Sequence, residues 1–167
     1  MPDRIRLYPE CHADTALITY FSTNPLIIEH AAGINEVSKA LETVKSDAVT
    51  LIGIIDNDKH KPRYLRTFQT IEEADKVCFR HIPESNQYLI VIDKAIETFL
   101  LWNANQVDLN LADYGFAADV RILGAKLKSQ SIETDSNYLR LLTDLHTRQA
   151  PGFLTLERIL NDFIPVN

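Results

Sequence analysis

The run Leu51-Ile52-Gly53-Ile54-Ile55-Asp56-Asn57-Asp58 constrains the fold more than any other stretch. A short, continuous, isoleucine-rich run closed by polar turn residues reads as a strand buried on both faces, the kind found in parallel sheets. In open α/β sheets, ligands bind just beyond the carboxyl ends of the strands. Asp56 and Asp58 stand at that end. On extended backbone, residues i and i+2 point the same way. Two hard oxygen ligands on one side of a strand end suit Mg²⁺ or Mn²⁺. Asp and Asn are also ordinary turn formers, so the weight of the motif depends on what else reaches the same edge.

At 167 residues the chain has the length of one domain and can bury a core. A net charge of -6 argues against a histone-like or helix-turn-helix binder. It leaves room for a local basic patch beside acidic ligands. Cys11 and Cys78 form no metal or redox motif, so a reduced, intracellular protein is expected. The N-terminus has no apolar signal core, and no run approaches a membrane span. A cytoplasmic protein without membrane contact is the expectation.

Along the chain, Arg4 to Tyr8 predicts a first strand ending near Pro9. Ala13, Leu17, Tyr20 and Phe21 have helical spacing, and Asn24-Pro25 breaks that helix. Leu26 to Glu29 predicts a short second strand, and Asn35 can cap a helix through Val37, Ala40, Leu41 and Val44. Val49 to Ile55 is the third strand, giving a β-α-β-α-β order and a parallel sheet. Ile71 to Val77 is read as a short helix or an acidic turn, Tyr88 to Ile92 as a fourth strand. A helix follows through Phe99 to Trp102, then a polar, loop-like stretch from Asn103 to Tyr114 pinned by Leu109, Leu111 and Tyr114. Helices are expected over 117–128, 137–147 and 153–163.

In this topology several acids share one sheet edge. Glu10 follows the first strand, Asp14 opens the first helix, and Glu97 lies just past the fourth strand. Together with Asp56 and Asp58 they make an acidic cluster that repels itself unless metal, protons or basic partners compensate. Two divalent ions about 3.5–4 Å apart can clamp the attacking and leaving oxygens of a phosphodiester. Glu10, Asp14 and Glu97 also have a plainer role, since carboxylates are common in the first turn of a helix.

The stretch from Arg4 to Leu17, containing Tyr8-Pro9-Glu10-Cys11-His12-Ala13-Asp14, followed by Ile54-Ile55-Asp56-Asn57-Asp58, resembles the Toprim domain. Toprim domains occur in topoisomerases, primases, and recombination and OLD-family nucleases. The family pattern is a strand, a Glu, usually a Gly, a helix, and later a strand ending in Asp-x-Asp. The Glu-x-x-x-Asp spacing, the turn His30-Ala31-Ala32-Gly33 and the later Glu97 are most similar to the OLD-type branch. The resemblance covers residues 4–102. It implies an α/β, Rossmann-like Toprim fold with a mainly parallel sheet of about four strands flanked by helices. Residues 103–167 would add a helical C-terminal extension to the same single domain.

By that resemblance Glu10 is a metal ligand or general base, Asp14, Asp56 and Asp58 are metal ligands, and Glu97 completes a second metal site. The implied activity is Mg²⁺- or Mn²⁺-dependent phosphodiester cleavage, with Glu10, Asp56 and Asp58 catalytic and DNA expected ahead of RNA as substrate. The resemblance further implies a part in phage defence and a separately encoded ATPase partner. Two departures stand out. Cys11 occupies the place where Gly is usual, which a negative φ would allow. The C-terminal lysine of OLD-type nucleases has no clear counterpart, with Lys126 and Lys128 as candidates beside Lys59.

The run Lys59, His60, Lys61, Arg63 and Arg66 contains no acid. Lys59, Lys61, Arg63 and Arg66 could follow a nucleic-acid backbone beside the metals, because phosphate contacts come mostly from Lys and Arg. They could equally form a solvated loop that balances the acids. His12, His30, His60 and His81 have no close ligand spacing and read as structural or exposed. Two other functions fit the same residues: a catalytically inactive Toprim-like module binding nucleic acid or a partner protein, and a small phosphohydrolase acting on a nucleotide. The apolar faces of the C-terminal helices suit core closure, a homodimer or a partner alike.

Overall fold

The apolar run forms strand β2 (Val49–Asp56), buried from Thr50 to Asp56. The structure is a computed structural model that describes residues 4–44, 46–57 and 60–166. Side chains of β2 alternate between two hydrophobic clusters, as the period of two requires. Leu51 and Ile55 face one cluster, Ile52 and Ile54 the other. Burial on both faces explains why the run is continuously apolar instead of alternating.

Around β2 the chain builds an α/β fold. A five-stranded mixed sheet of order β1-β2-β5-β4-β3 is flanked by six α-helices. The strands are β1 (Arg4–Pro9), β2, β3 (Gln69–Ala74), β4 (Val77–His81) and β5 (Gln87–Ile92). The helices are α1 (His12–Phe21), α2 (Ile34–Thr43), α3 (Ile96–Gln106), α4 (Val120–Leu127), α5 (Ser136–Thr147) and α6 (Pro151–Asn161). Strands β1, β2 and β5 are parallel, whereas β4 and β3 run antiparallel beyond β5.

Helix α2 covers one face, with Val37 and Leu41 against Leu51, Ile55, Leu89 and Val91. It packs close because Gly53 presents no side chain there. A Cβ at Gly53 would lie 2.9 Å from Val37 Cγ1 and 3.0 Å from both Leu41 Cδ1 and Leu89 Cδ1. The other five helices contribute buried residues to the second cluster. The helices of 103–167 therefore share the core of the sheet. Tyr20 of α1, His146 of α5 and Glu157 of α6 tie three of them together. His146 Nδ1 lies 2.8 Å from the Tyr20 hydroxyl and its Nε2 lies 3.1 Å from Glu157 Oε2.

Three expectations are corrected. Leu26 to Glu29 is not a strand. The Asn24 side chain accepts the Leu26 N–H and Pro25 begins a 3₁₀ turn, so the segment meets β1 through a single bridge, Leu7 to Ile28. The backbone N–H groups of Glu29 and Ala31 nonetheless donate to Leu7 and Pro9, pinning residues 28–31 along the edge of β1. Ile71 to Val77 is neither helix nor acidic turn but most of a hairpin, β3 and β4 joined at Asp75-Lys76. Both turn residues have positive φ, 51° and 68°, the backbone of a type I′ turn. The sheet is consequently five-stranded and mixed, not a mainly parallel sheet of four. Finally, α3 runs on to Gln106 through the stretch expected to be a loop. Asn103 is fully buried there, its amide donating to Phe99 O and its Oδ1 accepting from Gly152 N–H. Leu109, Leu111 and Tyr114 are buried as the spacing predicts. Among the described residues, no helix is long and apolar enough to cross a membrane.

Candidate active site

The parallel register sets Pro9 beside Ile54, so β1 and β2 end at the same edge. Glu10 continues the ladder, its N–H donating to Ile54 O at 2.9 Å. Its side chain then crosses to the neighbouring strand, where Glu10 Oε2 accepts the Asp56 N–H at 3.0 Å. The two carboxyl-bearing residues are 2% and 7% exposed. Glu10 and Asp56 thus meet where the sheet topology places them.

Asp14 takes a different position. Cys11 caps α1 with φ −128° and ψ 170°, an extended conformation open to any L residue. The departure from Gly costs no backbone strain. Cys11 Sγ donates to Asp14 Oδ2 at 3.0 Å, and the Asp14 N–H returns a bond to Sγ at 3.4 Å. Burial, and then the Asp14 carboxylate, push the Cys11 thiol pKa upward. Asp14 is fully buried behind Cys11. On its other side, the Tyr138 hydroxyl donates to Ala13 O at 3.1 Å, and burial together with Asp14 raises the pKa of that phenol.

In front of Cys11 lies a cavity of about 320 Å³. Glu10, Asp56 and Glu97 line it together with His12, His30 and Lys128. Glu97 comes from the first turn of α3 and crosses beneath α4 at Gly124, where a Cβ would lie 3.1 Å from Glu97 Oε1. Lys128 is the C-cap residue of α4. Of the two lysine candidates from the sequence it is the one on the cavity wall. Lys126 sits over the Phe116 ring, 5.1 Å from its centroid. Gly33 starts α2 with φ 102°, a value that favours glycine, and its N–H donates to Glu10 O.

The carboxylates on the wall are hard oxygen donors of the sort Mg²⁺ and Mn²⁺ prefer. Among the described residues, no three His, Cys, Asp or Glu side chains are grouped closely enough to hold a metal ion. Asp58 and Lys59 lie outside the described residues.

Two histidines read from the sequence as structural or exposed come together at the cavity. The rings of His12 and His30 stack with centroids 4.1 Å apart and planes 16° from parallel. His12 Nδ1 lies 2.9 Å from Glu133 Oε2, and His30 Nδ1 lies 3.1 Å from Thr15 Oγ1. Burial, followed by the neighbouring His12, lowers the His30 pKa against smaller opposing effects of Glu133 and the Cys11 backbone. The edge rule that gathers the acids applies equally to these residues, since His12 opens α1 and His30 follows the segment pinned to β1. The other two stay apart from the cavity: His60 contacts Arg66, and His81 bonds the Ser85 carbonyl.

The basic run leaves β2 at the edge where the acids converge. Lys61 Nζ donates to Asn57 Oδ1 at 2.6 Å, and Arg66 Nε donates to Lys61 O at 3.0 Å. Arg63 and Arg66 are exposed. None of the described residues of this run is on the cavity wall. A larger groove of about 650 Å³, mostly apolar, lies between α1 and α5 and includes Glu133 in its wall. The convergent polar groups belong to the smaller cavity, which makes it the stronger candidate for chemistry. Compared with models of known families, with curated proteins and with solved structures, the chain matches none.

Proposed function

We propose that this chain is a Toprim-like, divalent-metal-dependent nuclease that hydrolyses phosphodiester bonds in nucleic acid, DNA ahead of RNA. The observation that carries the reading is the meeting of Glu10 and Asp56 at the carboxyl ends of two adjacent parallel strands, with Glu97 and Lys128 on the same cavity wall. In this reading Glu10, Asp56 and Asp58 would hold Mg²⁺ or Mn²⁺, and Glu97 would contribute to a second ion. Such ions, when bound, lower the pKa of a water and neutralise phosphate charge. Asp14 supports the site from behind Cys11. Lys128 balances the carboxylates and offers a cation to a substrate phosphate. Lys59, Lys61, Arg63 and Arg66 guide the nucleic-acid backbone toward the edge.

The test combines calorimetric titration of Mg²⁺ and Mn²⁺ with a cleavage screen on duplex DNA, single-stranded DNA and RNA. Parent protein and Asp56→Ala/Asp58→Ala are compared. Metal binding and cleavage by the parent, both lost in the double variant, support the nuclease. A parent that binds nucleic acid but cuts none of the three polymers overturns it in favour of a binding module. Hydrolysis confined to mononucleotides points to a small phosphohydrolase.

A further inference from the structure

Thr15 Oγ1 stands between the Cys11 carbonyl and the His30 ring, and its own bonding fixes the state of His30. The Thr15 hydroxyl donates to Cys11 O at 2.8 Å. Its single proton is committed there, so its contact with His30 Nδ1 at 3.1 Å requires the ring nitrogen to donate. A neutral His30 therefore carries its proton on Nδ1 and its lone pair on Nε2. The backbone holds the ring in place, because Glu29 and Ala31, the residues on either side, both bond to β1. The stacked His12 has a different partner, donating Nδ1–H to the Glu133 carboxylate. Meanwhile one oxygen of Glu10, the acid expected to act as base, accepts the Asp56 backbone N–H.

We propose that His30 is the general base of the cavity, its Nε2 accepting the proton of the water that attacks phosphorus. The inference rests on the nuclease reading above. As the water oxygen bonds to phosphorus, the water proton passes to Nε2 and the opposite P–O ester bond breaks. The electron pair of that bond leaves on the alkoxide oxygen, which takes a proton from solvent. The imidazolium then returns its proton to solvent. One water is consumed, and a phosphodiester becomes a phosphomonoester and an alcohol. The groups around the ring suit the role. From the start of α1 come His12 and the Cys11 carbonyl, from the turn before α5 comes Glu133, and the same cavity wall carries Glu10, Asp56, Glu97 and Lys128. Burial and His12 favour the neutral ring, the form that a base needs. The Thr15 bond fixes its orientation, the same service a carboxylate gives to the histidine of a catalytic triad.

The test uses the full chain with Mg²⁺ or Mn²⁺ and the polymer that the parent cuts best. For His30→Gln, kcat should fall about a hundredfold to ten-thousandfold. The acidic limb of the parent's pH–rate profile should vanish, while calorimetric metal binding stays at the parental value. In His30→Ala, added imidazole should restore cleavage, which a merely structural histidine would not show. A His30→Gln that keeps the parental rate and pH profile overturns the base role and leaves the nuclease reading standing. A parent that cuts no polymer overturns both together. Independently of activity, ¹⁵N spectra of histidine-labelled protein should show His30 as the Nδ1–H tautomer at neutral pH. The Nε2–H tautomer would overturn the proposal.

Discussion

The carboxylate of Glu10 closes the seam between β1 and β2 by accepting the backbone N–H of Asp56 at 3.0 Å. One oxygen is thus structural, while the proposed nuclease assigns the charge of the group to chemistry, and substitutions can separate the two. Glu10→Gln keeps an oxygen acceptor for the Asp56 N–H and removes the charge. Its unfolding free energy should stay within about 1 kcal/mol of the parent, while metal affinity and cleavage collapse. Glu10→Ala leaves a buried N–H unsatisfied, which costs about 1–3 kcal/mol. Urea unfolding of both variants decides this. Equal destabilisation by Gln and Ala would show that the hydrogen bond does not matter to folding.

His30 should make stability fall on the acid side. Its folded pKa lies below the ordinary value of 6.5, chiefly because the ring is partly buried. Between the folded and unfolded values the unfolded chain binds more protons, so stability rises with pH there. Seen from neutrality, the contribution is fully present above about 6.5 and is lost as pH falls toward the lower folded value, below which it levels off. Measured from pH 7.5 down to about 4.5, the unfolding free energy of the parent relative to that of His30→Gln should fall toward the acid end. A constant difference across that range would contradict the assigned direction.

Cys11 should be a poor nucleophile despite its place on the cavity wall. Burial and the adjacent Asp14 raise its thiol pKa, and the thiolate is the reactive form. Each unit of rise lowers the thiolate fraction about tenfold. Alkylation by iodoacetamide at pH 8 should be slower than that of the urea-unfolded chain by more than about tenfold. Asp14→Asn should speed it, since the carboxylate is one of the groups holding the proton on sulfur. Rapid labelling of the native parent would refute the geometry of the Cys11–Asp14 pair.

Much of this architecture is legible in the sequence because it follows from periodicity. The edge position of Glu10, Asp56 and Glu97 follows from the topology of parallel sheets, and the continuous apolar run of β2 and the helical spacing of α1 from the rule of hydrophobic periodicity. Strand β3 escapes that rule. Gln69–Ala74 is an edge strand without a fully buried residue, so it shows no apolar alternation. Its turn uses Asp75-Lys76 instead of the Asn-Gly that marks such hairpins. The choice of Lys128 over Lys126 and the His12–His30 stack are hidden for another reason. They depend on where α4 and residues 28–31 dock, which is tertiary information that no local spacing carries. Asp14 illustrates the converse, since its spacing from Glu10 is easily read while its burial behind Cys11 is not.

Two glycines without positive φ should respond very differently to alanine, because of what a methyl group would strike. At Gly53 the nearest atoms are the tips of Val37, Leu41 and Leu89, 2.9–3.0 Å away. Aliphatic tips can shift by a few tenths of an ångström, so Gly53→Ala should cost about 1 kcal/mol, the lower end for overpacking. At Gly152 a Cβ would lie 2.6 Å from both Phe99 Cε2 and Asn103 Nδ2. Neither can retreat easily. Phe99 is fully buried against Phe153, and Asn103 is held by bonds to Phe99 O and from Gly152 N–H. Moving Asn103 would break those bonds as well as overpack the site, so Gly152→Ala should cost about 3 kcal/mol or more, despite the helical preference of alanine. Urea denaturation of the two variants in parallel measures the gap. Equal costs would mean that α6 slides freely over α3 and that the Asn103 bonds do not fix its position.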